Sequence, residues 1–98
     1  MSSTARPGDV VRQRADWMRP VDERILETMR DEGNMTPQAL DEAFEVCAAN
    51  HASNRLGKMT KYGLVEKLSR GLYRLTDAGE AFLNEELDAS ELEADEST

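Results

Sequence analysis

Hydrophobic residues recur at helical spacing in three segments of the chain. The apolar stripe of the first segment consists of Val21, Ile25, Leu26 and Met29. Proline favours the first position of a helix, and glycine favours the position just past its end. Pro20 and Gly33 therefore bracket a predicted first helix over residues 20–32.

Two further helices follow the same logic. Thr36-Pro37 pairs a capping hydroxyl with proline, and the apolar positions after it are Leu40, Ala43, Phe44 and Cys47. This pattern predicts a second helix over 37–46. The apolar stripe of the third segment is Ala52, Leu56 and Met59, and Gly63 supplies a C-terminal cap. We therefore predict a third helix over 50–62.

The pattern then changes from helical spacing to short extended segments. Residues 64–68 and 72–75 are joined by Ser69-Arg70-Gly71, a connection of hairpin length. Thr76 caps a last helix whose apolar face is Ala78, Ala81 and Phe82. The chain is therefore predicted to be mainly α with a small β-hairpin (α+β). The order helix, helix, helix, hairpin, helix is that of a winged helix-turn-helix.

The predicted domain occupies residues 17–87. Residues 1–16 have few apolar side chains, which predicts a flexible N-terminal arm. Residues 88–98 are acidic and sparsely apolar, which predicts a disordered tail. Leu83, Leu87 and the N-terminal arm are candidates for packing across a dimer interface.

Composition excludes several classes of protein. The 98 residues suffice for one small domain. Cys47 is the only cysteine, which excludes a disulfide within the chain and a cysteine-based zinc site. His51 is the only histidine, so it has no second histidine beside it for metal binding or catalysis. We expect no enzyme, no cofactor and no metal site. No apolar stretch is long enough for a membrane span or an export signal, so we expect a cytoplasmic protein without membrane partners.

The charges are segregated along the chain. The formal net charge is −8, yet residues 84–98 hold seven acidic residues and no basic one. Residues 50–76 reverse the sign, with six basic residues against Glu66 alone. Attraction to phosphate is local because salt screens charges beyond about 10 Å at 0.1 M. This basic stripe coincides with the third helix and the hairpin, the elements that contact DNA in a winged helix.

The third helix offers side chains suited to reading base edges and phosphates. Asparagine pairs with adenine and arginine with guanine, which makes Asn54 and Arg55 the first candidates for base contacts. Arg70 lies at the hairpin turn, and Arg74 is expected to face outward while Tyr73 faces inward. The complete set of predicted DNA-binding residues is Asn50, His51, Ser53, Asn54, Arg55, Lys58, Lys61, Arg70 and Arg74.

Four sequence segments resemble a known family. They are WMRPVDERIL at 17–26, residues 50–56, YGLVE at 62–66 and GLYRLTDAG at 71–79. Residues 17–83 resemble the winged helix-turn-helix of haloarchaeal phage-repressor-like proteins of the phi-H repressor type. The resemblance implies a DNA-binding transcriptional regulator, often dimeric, that uses helix three and the wing. The sequence departs from the family at Arg19, where a capping threonine or serine is common, and at Gly57 within the recognition helix.

These observations predict a sequence-specific regulator of transcription that binds double-stranded DNA. We expect a homodimer on a pseudo-palindromic site, and the resemblance to the phage-repressor-like family implies that it represses by occluding that site. The alternative is a winged-helix protein-interaction module whose basic stripe docks an acidic partner. Two smaller questions stay open at this level: Gly57 either allows close approach to DNA or loosens the helix, and Cys47 is either a buried residue or a redox sensor.

Overall fold

The computed structural model describes residues 12–94, and its elements follow the predicted order. They are α1 (Pro20–Glu32), α2 (Pro37–Glu42), α3 (Ala49–Lys61), β1 (Val65–Ser69), β2 (Leu72–Leu75), α4 (Asp77–Leu83) and a 3₁₀ turn (Ala89–Glu91). The fold is a winged helix-turn-helix, mainly α with one antiparallel hairpin. None of the helices in the described residues is long and apolar enough to cross a membrane.

The helix starts lie where the capping signals place them. α1 begins at Pro20 and α2 at Pro37. The Thr36 hydroxyl accepts a hydrogen bond from the backbone N–H of Ala39 at 3.1 Å. The Thr76 hydroxyl accepts from the N–H of Gly79 at 3.1 Å and donates to the carbonyl of Gly63 at 2.6 Å. Thr76 thus caps α4 and ties it to the end of α3, satisfying backbone groups that a helix terminus leaves unpaired.

The second helix is shorter than predicted. It ends at Glu42 rather than at 46, and the chain then turns through Glu45, whose φ of 52° is left-handed. The N–H of Val46 closes this turn by donating to the carbonyl of Leu40 at 2.7 Å. Because the helix stops early, Phe44 does not lie on a buried face as predicted. Its side chain is 39% exposed.

The hairpin is anchored to the connection between α1 and α2. Met35 and Tyr73 exchange two backbone hydrogen bonds of 2.9 Å. They form an isolated antiparallel bridge, which places Met35 beside β2. Gly71 lies at the hairpin turn with φ 75°, a left-handed conformation that glycine adopts without steric cost. Lys67 pairs with Tyr73 and Ser69 with Leu72, so Leu68 is an extra residue in β1. This irregularity is a β-bulge at the tip of the wing.

The core brings all the helices and the hairpin together. Its largest fully buried apolar side chains are Phe82, Ile25, Leu26, Leu40, Leu56, Met59, Leu64 and Val65. Gly79 allows α4 to lie against the backbone of Leu64, the residue before β1, because a Cβ atom on Gly79 would stand 2.2 Å from the carbonyl oxygen of Leu64. Glycine is therefore required here by close approach of two backbones.

The packed body extends beyond the predicted boundaries of 17 and 87. Ala15 and Ala89 are buried in the same core, and Gln13 and Asp88 form a short parallel bridge. Leu83 is also buried within the chain, which removes it as a candidate for a dimer interface. The remainder of the predicted arm, 1–11, and of the predicted tail, 95–98, lies outside the described residues.

Arg12 holds the first described residues against the helices. Its guanidinium contacts Glu23 at 3.0 Å and Glu27 at 2.6 Å, and its Nε donates to the carbonyl of Leu83 at 3.1 Å. The Arg12 side chain is only 7% exposed. Residues 12–16 were predicted as flexible because their composition is polar. The arginine reverses that expectation by bridging α1 and α4.

Candidate nucleic-acid interface

The outer face of α3 consists of polar and basic side chains. Asn50, His51, Ser53, Asn54, Lys58 and Lys61 are all exposed. Positions 50, 54, 57 and 61 share one face because they follow at intervals of three and four residues. The opposite face carries Ala52, Leu56 and Met59, each fully buried. The predicted division of this helix into a core face and a polar face is therefore present.

Gly57 lies in the middle of the outer face of α3. A Cβ atom built on it meets nothing within 4 Å, so no neighbouring group within the fold requires glycine at this position. The helix consequently has a flat surface between Asn54 and Lys61. Both open interpretations of Gly57 are compatible with this geometry.

Arg55 points away from this face, contrary to the prediction that it reads a base edge. Its Nε donates to Oδ1 of Asp22 at 2.7 Å, and its Nη2 donates to Oδ2 of Asp22 at 2.6 Å. Nη2 also donates to the carbonyl of Trp17 at 3.0 Å. The Arg55 side chain is 15% exposed and Asp22 is fully buried. The bidentate pair and the bond to Trp17 engage Nε and Nη2 of Arg55 inside the protein.

Asp22 is the junction between α1 and α3. Besides its pair with Arg55, its Oδ2 accepts from the backbone N–H of Arg19 at 3.0 Å. This bond supplies the N-terminal cap of α1 that Arg19 itself lacks. Hydrogen bonding to Asp22 raises the pKa of Arg55, against the opposing effect of burial. Arg55 therefore fixes the position of α3 against α1 rather than presenting a charge to a ligand.

An aromatic contact supports the other end of the same helix. Trp17 and Tyr62 stack with ring centroids 4.4 Å apart and planes inclined by 18°. The Nζ atom of Lys58 lies 5.9 Å from the Tyr62 ring centroid, within the range of a cation–π contact. Residues 17–22 thus hold α3 at both Arg55 and Tyr62.

Asp41 of α2 fixes the start of α3. Its Oδ2 accepts from the backbone N–H of Ala49 at 3.1 Å, while the N-cap residue Ala48 has no capping side chain. A carboxylate at this position also suits the positive end of the helix dipole. This bond joins the two helices of the helix-turn-helix across their turn. Sequence reasoning missed Asp41 because it lies eight residues before the group it caps.

The wing presents one of its two arginines freely and the other in an ion pair. Arg70 is exposed at the turn and forms no ion pair with any residue of 12–94. Arg74 faces outward as predicted, but its guanidinium contacts Oε1 of Glu66 at 2.6 Å across the hairpin. Lys67 on the neighbouring strand lies 6.0 Å from the Tyr73 ring centroid. The Arg74–Glu66 pair neutralises part of the predicted positive charge.

The basic stripe therefore keeps four cations without an acidic partner among the described residues. They are Lys58, Lys61, Lys67 and Arg70. Two of these lie on α3 and two on the hairpin, and β1 packs against α3. The free positive charge is smaller than the sequence count, and it is divided equally between α3 and the hairpin.

Comparison with known proteins identifies the family. A sequence model described as winged helix-turn-helix phage repressor matches residues 11–95. The chain belongs to this family. The crystal structure of the PhiH1 repressor-like protein from Haloarcula marismortui is similar, with a TM-score of 0.80 and 37% sequence identity over 88% of this chain and 99% of that chain. No curated protein matches the chain.

The winged helix-turn-helix phage repressor family suggests a DNA-binding regulator, and the resemblance predicted from the sequence is confirmed. The family and fold are those of a repressor rather than of an enzyme class. Within residues 12–94 no pocket is found, and no three side chains are grouped as metal ligands. The candidate surface for binding DNA is the outer face of α3 together with the wing.

Cys47 is half-buried near the turn between α2 and α3. Burial raises the pKa of its thiol, Arg24 lowers it, and the carboxylates of Asp41 and Asp22 raise it further. A raised pKa leaves less thiolate at neutral pH, and thiolate is the reactive form.

We expect Cys47 to react with iodoacetamide at pH 7 more slowly in the folded protein than in urea-unfolded protein. The folded state holds the thiol proton more tightly, so any stability from this group is lost as pH rises above the unfolded pKa. Labelling followed by mass spectrometry measures both rates. Equal rates at pH 7, or a faster folded rate, would contradict burial and favour a redox-sensing cysteine.

Proposed function

We propose that the protein is a sequence-specific transcriptional regulator that binds double-stranded DNA through α3 and the wing. The observation that carries this proposal is the outer face of α3, where Asn50 and Asn54 lie among lysines on a helix with a fully buried opposite face. Amide side chains on an exposed helix of this width suit the major groove, where asparagine forms two bonds to adenine. Family membership supports the same assignment.

Each part of the surface has a distinct role in the proposal. Asn50 and Asn54 read base edges in the major groove. The remaining predicted contacts of α3, which are His51, Ser53, Lys58 and Lys61, bind phosphates and fix the register of the helix. Arg70 contacts the backbone or the minor groove from the wing. Arg55 contributes indirectly by holding the angle of α3.

The proposed outcome of binding is repression. Membership of the winged helix-turn-helix phage repressor family supports this outcome, in which the bound protein occupies DNA that another protein needs. We further propose a homodimer, which places two α3 helices on half-sites about one helical turn apart. Light scattering of the free protein and footprinting on its upstream DNA test these two points together.

The salt dependence of binding is the most direct test of the interface. Each phosphate neutralised lowers the slope of log K against log salt by about 0.9, so four free cations predict a slope of about −3.6 for each protomer. Six cations would give about −5.4. Fluorescence anisotropy measures this slope separately for the protein's own upstream DNA and for a scrambled duplex.

Arg70→Ala is expected to reduce the magnitude of the slope by about 0.9 on both duplexes, because Arg70 is a free cation. The matched control is the double variant Glu66→Gln with Arg74→Gln. It removes an ion pair without changing net charge, so the slope is expected to stay at its original value.

Asn54→Ala separates recognition of sequence from attraction to phosphate. We expect it to weaken binding to upstream DNA by about tenfold or more while leaving the scrambled duplex unaffected. Equal and weak binding of both duplexes by the unmodified protein would overturn the proposal. That result would favour the alternative, in which the basic stripe docks an acidic protein partner.

A further inference from the structure

Leu68 is an exposed leucine at the tip of the wing. Among the described residues, only Leu68 and Phe44 are large hydrophobic side chains classed as exposed, and Leu68 is 45% exposed. Single exposed apolar residues are common and carry no meaning by themselves. Three features of its surroundings set Leu68 apart.

The first feature is the β-bulge. Leu68 has no partner in β2, because pairing passes from Lys67–Tyr73 directly to Ser69–Leu72. An extra residue of this kind bends the strand and redirects its own side chain. The backbone of Leu68 therefore lies at an unpaired position of the strand, and its side chain is exposed to solvent.

The second feature is charge. Lys67 and Arg70, two of the four cations without an acidic partner in residues 12–94, flank Leu68 in the sequence. The Nζ atom of Lys67 lies 6.0 Å from the Tyr73 ring centroid, so Arg70 at the turn is the cation left to accompany Leu68. An exposed leucine close in sequence to a free cation suits a partner that is both anionic and apolar. The third feature is position, since the hairpin packs beside α3 and its proposed groove-binding face.

We propose that Leu68 is a specificity-determining contact that the wing inserts into the DNA minor groove, against deoxyribose and base edges. This inference rests on the proposed function. The minor groove is about 6 Å wide, with sugar carbons in its walls and phosphates along both rims. Leucine fits as an apolar wedge between base steps, while Arg70 binds a phosphate at the rim of the groove. The occupied site is therefore flanking DNA beside the major-groove contact of α3.

The test compares side chains of similar length with and without polarity. Leu68→Gln is expected to weaken binding to upstream DNA by about tenfold, because the contact loses apolar burial. Leu68→Met keeps the contact, and its affinity is expected to stay within about twofold of the original. Both variants are expected to keep the original slope against salt, because neither changes charge. Phe44→Gln is the matched control for an exposed hydrophobic residue away from the wing.

Folding does not limit this experiment, because Leu68 lies outside the core and circular dichroism melting monitors each variant. If Leu68→Gln melts early, Leu68→Thr, which favours strands, replaces it. Binding of the polar variant with the original affinity would overturn the role of Leu68 alone. A change in mass by light scattering without a change in affinity would also overturn it, since Leu68 would then contact a second copy of the chain. Failure of the unmodified protein to bind DNA would instead overturn the proposed function.

Discussion

Arg55→Ala is expected to lower the free energy of unfolding by about 3–5 kcal/mol. The substitution leaves the fully buried carboxylate of Asp22 without its guanidinium partner. A charge that is desolvated and unpaired is costly, and the remaining bond from the N–H of Arg19 compensates only part of the loss. Urea denaturation followed by circular dichroism measures the change.

Substitutions at Asp22 show whether the lost free energy of unfolding comes from the Arg55–Asp22 ion pair. Asp22→Asn preserves shape and leaves Arg55 without a carboxylate, so we expect a loss of about 3 kcal/mol. The double variant Arg55→Met with Asp22→Leu removes both charges. It is expected to lose less than the two single effects added together, because no buried charge remains unpaired.

DNA binding separates the two interpretations of Arg55. A base-reading arginine would lose DNA affinity on substitution and keep the original urea midpoint. The structure predicts that Arg55→Ala mainly lowers the urea midpoint. DNA affinity then falls as a consequence, because α3 is no longer held in place. An unchanged midpoint for Arg55→Ala would contradict the positioning role.

Gly79→Ala is the other substitution with a large expected effect. Its new methyl group would stand 2.2 Å from the carbonyl oxygen of Leu64 and 2.6 Å from Cδ1 of Leu75. The leucine side chain can rotate, but the carbonyl belongs to a backbone that also accepts a hydrogen bond from the N–H of Thr76 at 3.2 Å. α4 must therefore shift, and we expect a loss of about 3 kcal/mol or more in the free energy of unfolding.

Gly57→Ala is the matched control, because it makes the same chemical change in a helix with open space around the new methyl group. Alanine is favoured over glycine inside a helix by about 0.8–1.0 kcal/mol, so this variant is expected to be more stable than the original. Thermal melting of the two variants side by side measures the contrast. A Gly79→Ala protein as stable as the original would show that α4 does not approach the backbone of Leu64 as closely as described.

Helical spacing contained a signal for Arg55 that the sequence interpretation did not use. Residues 52, 55, 56 and 59 follow the same three-and-four spacing as an apolar stripe, which places Arg55 at the edge of the buried face. Asp22 likewise precedes Leu26 by four residues on the buried side of α1. A charged residue on each of two buried faces is a reason to expect an ion pair. Nothing in either segment says which partner each one takes.

The sequence by itself determined the order of the elements, most of their bounds and the polar face of α3. Proline, capping threonine and glycine act on backbone groups only a few residues away, so their effects can be read locally at Pro20, Thr36 and Gly71. Tertiary structure alone decided the direction of Arg55, the cap from Asp41 and the packing of residues 12–16. These depend on groups that are distant in sequence, as with Asp22 and Arg55, and come together only when the core forms. Long-range pairing also neutralised Arg74, and so it set how much positive charge the surface retains.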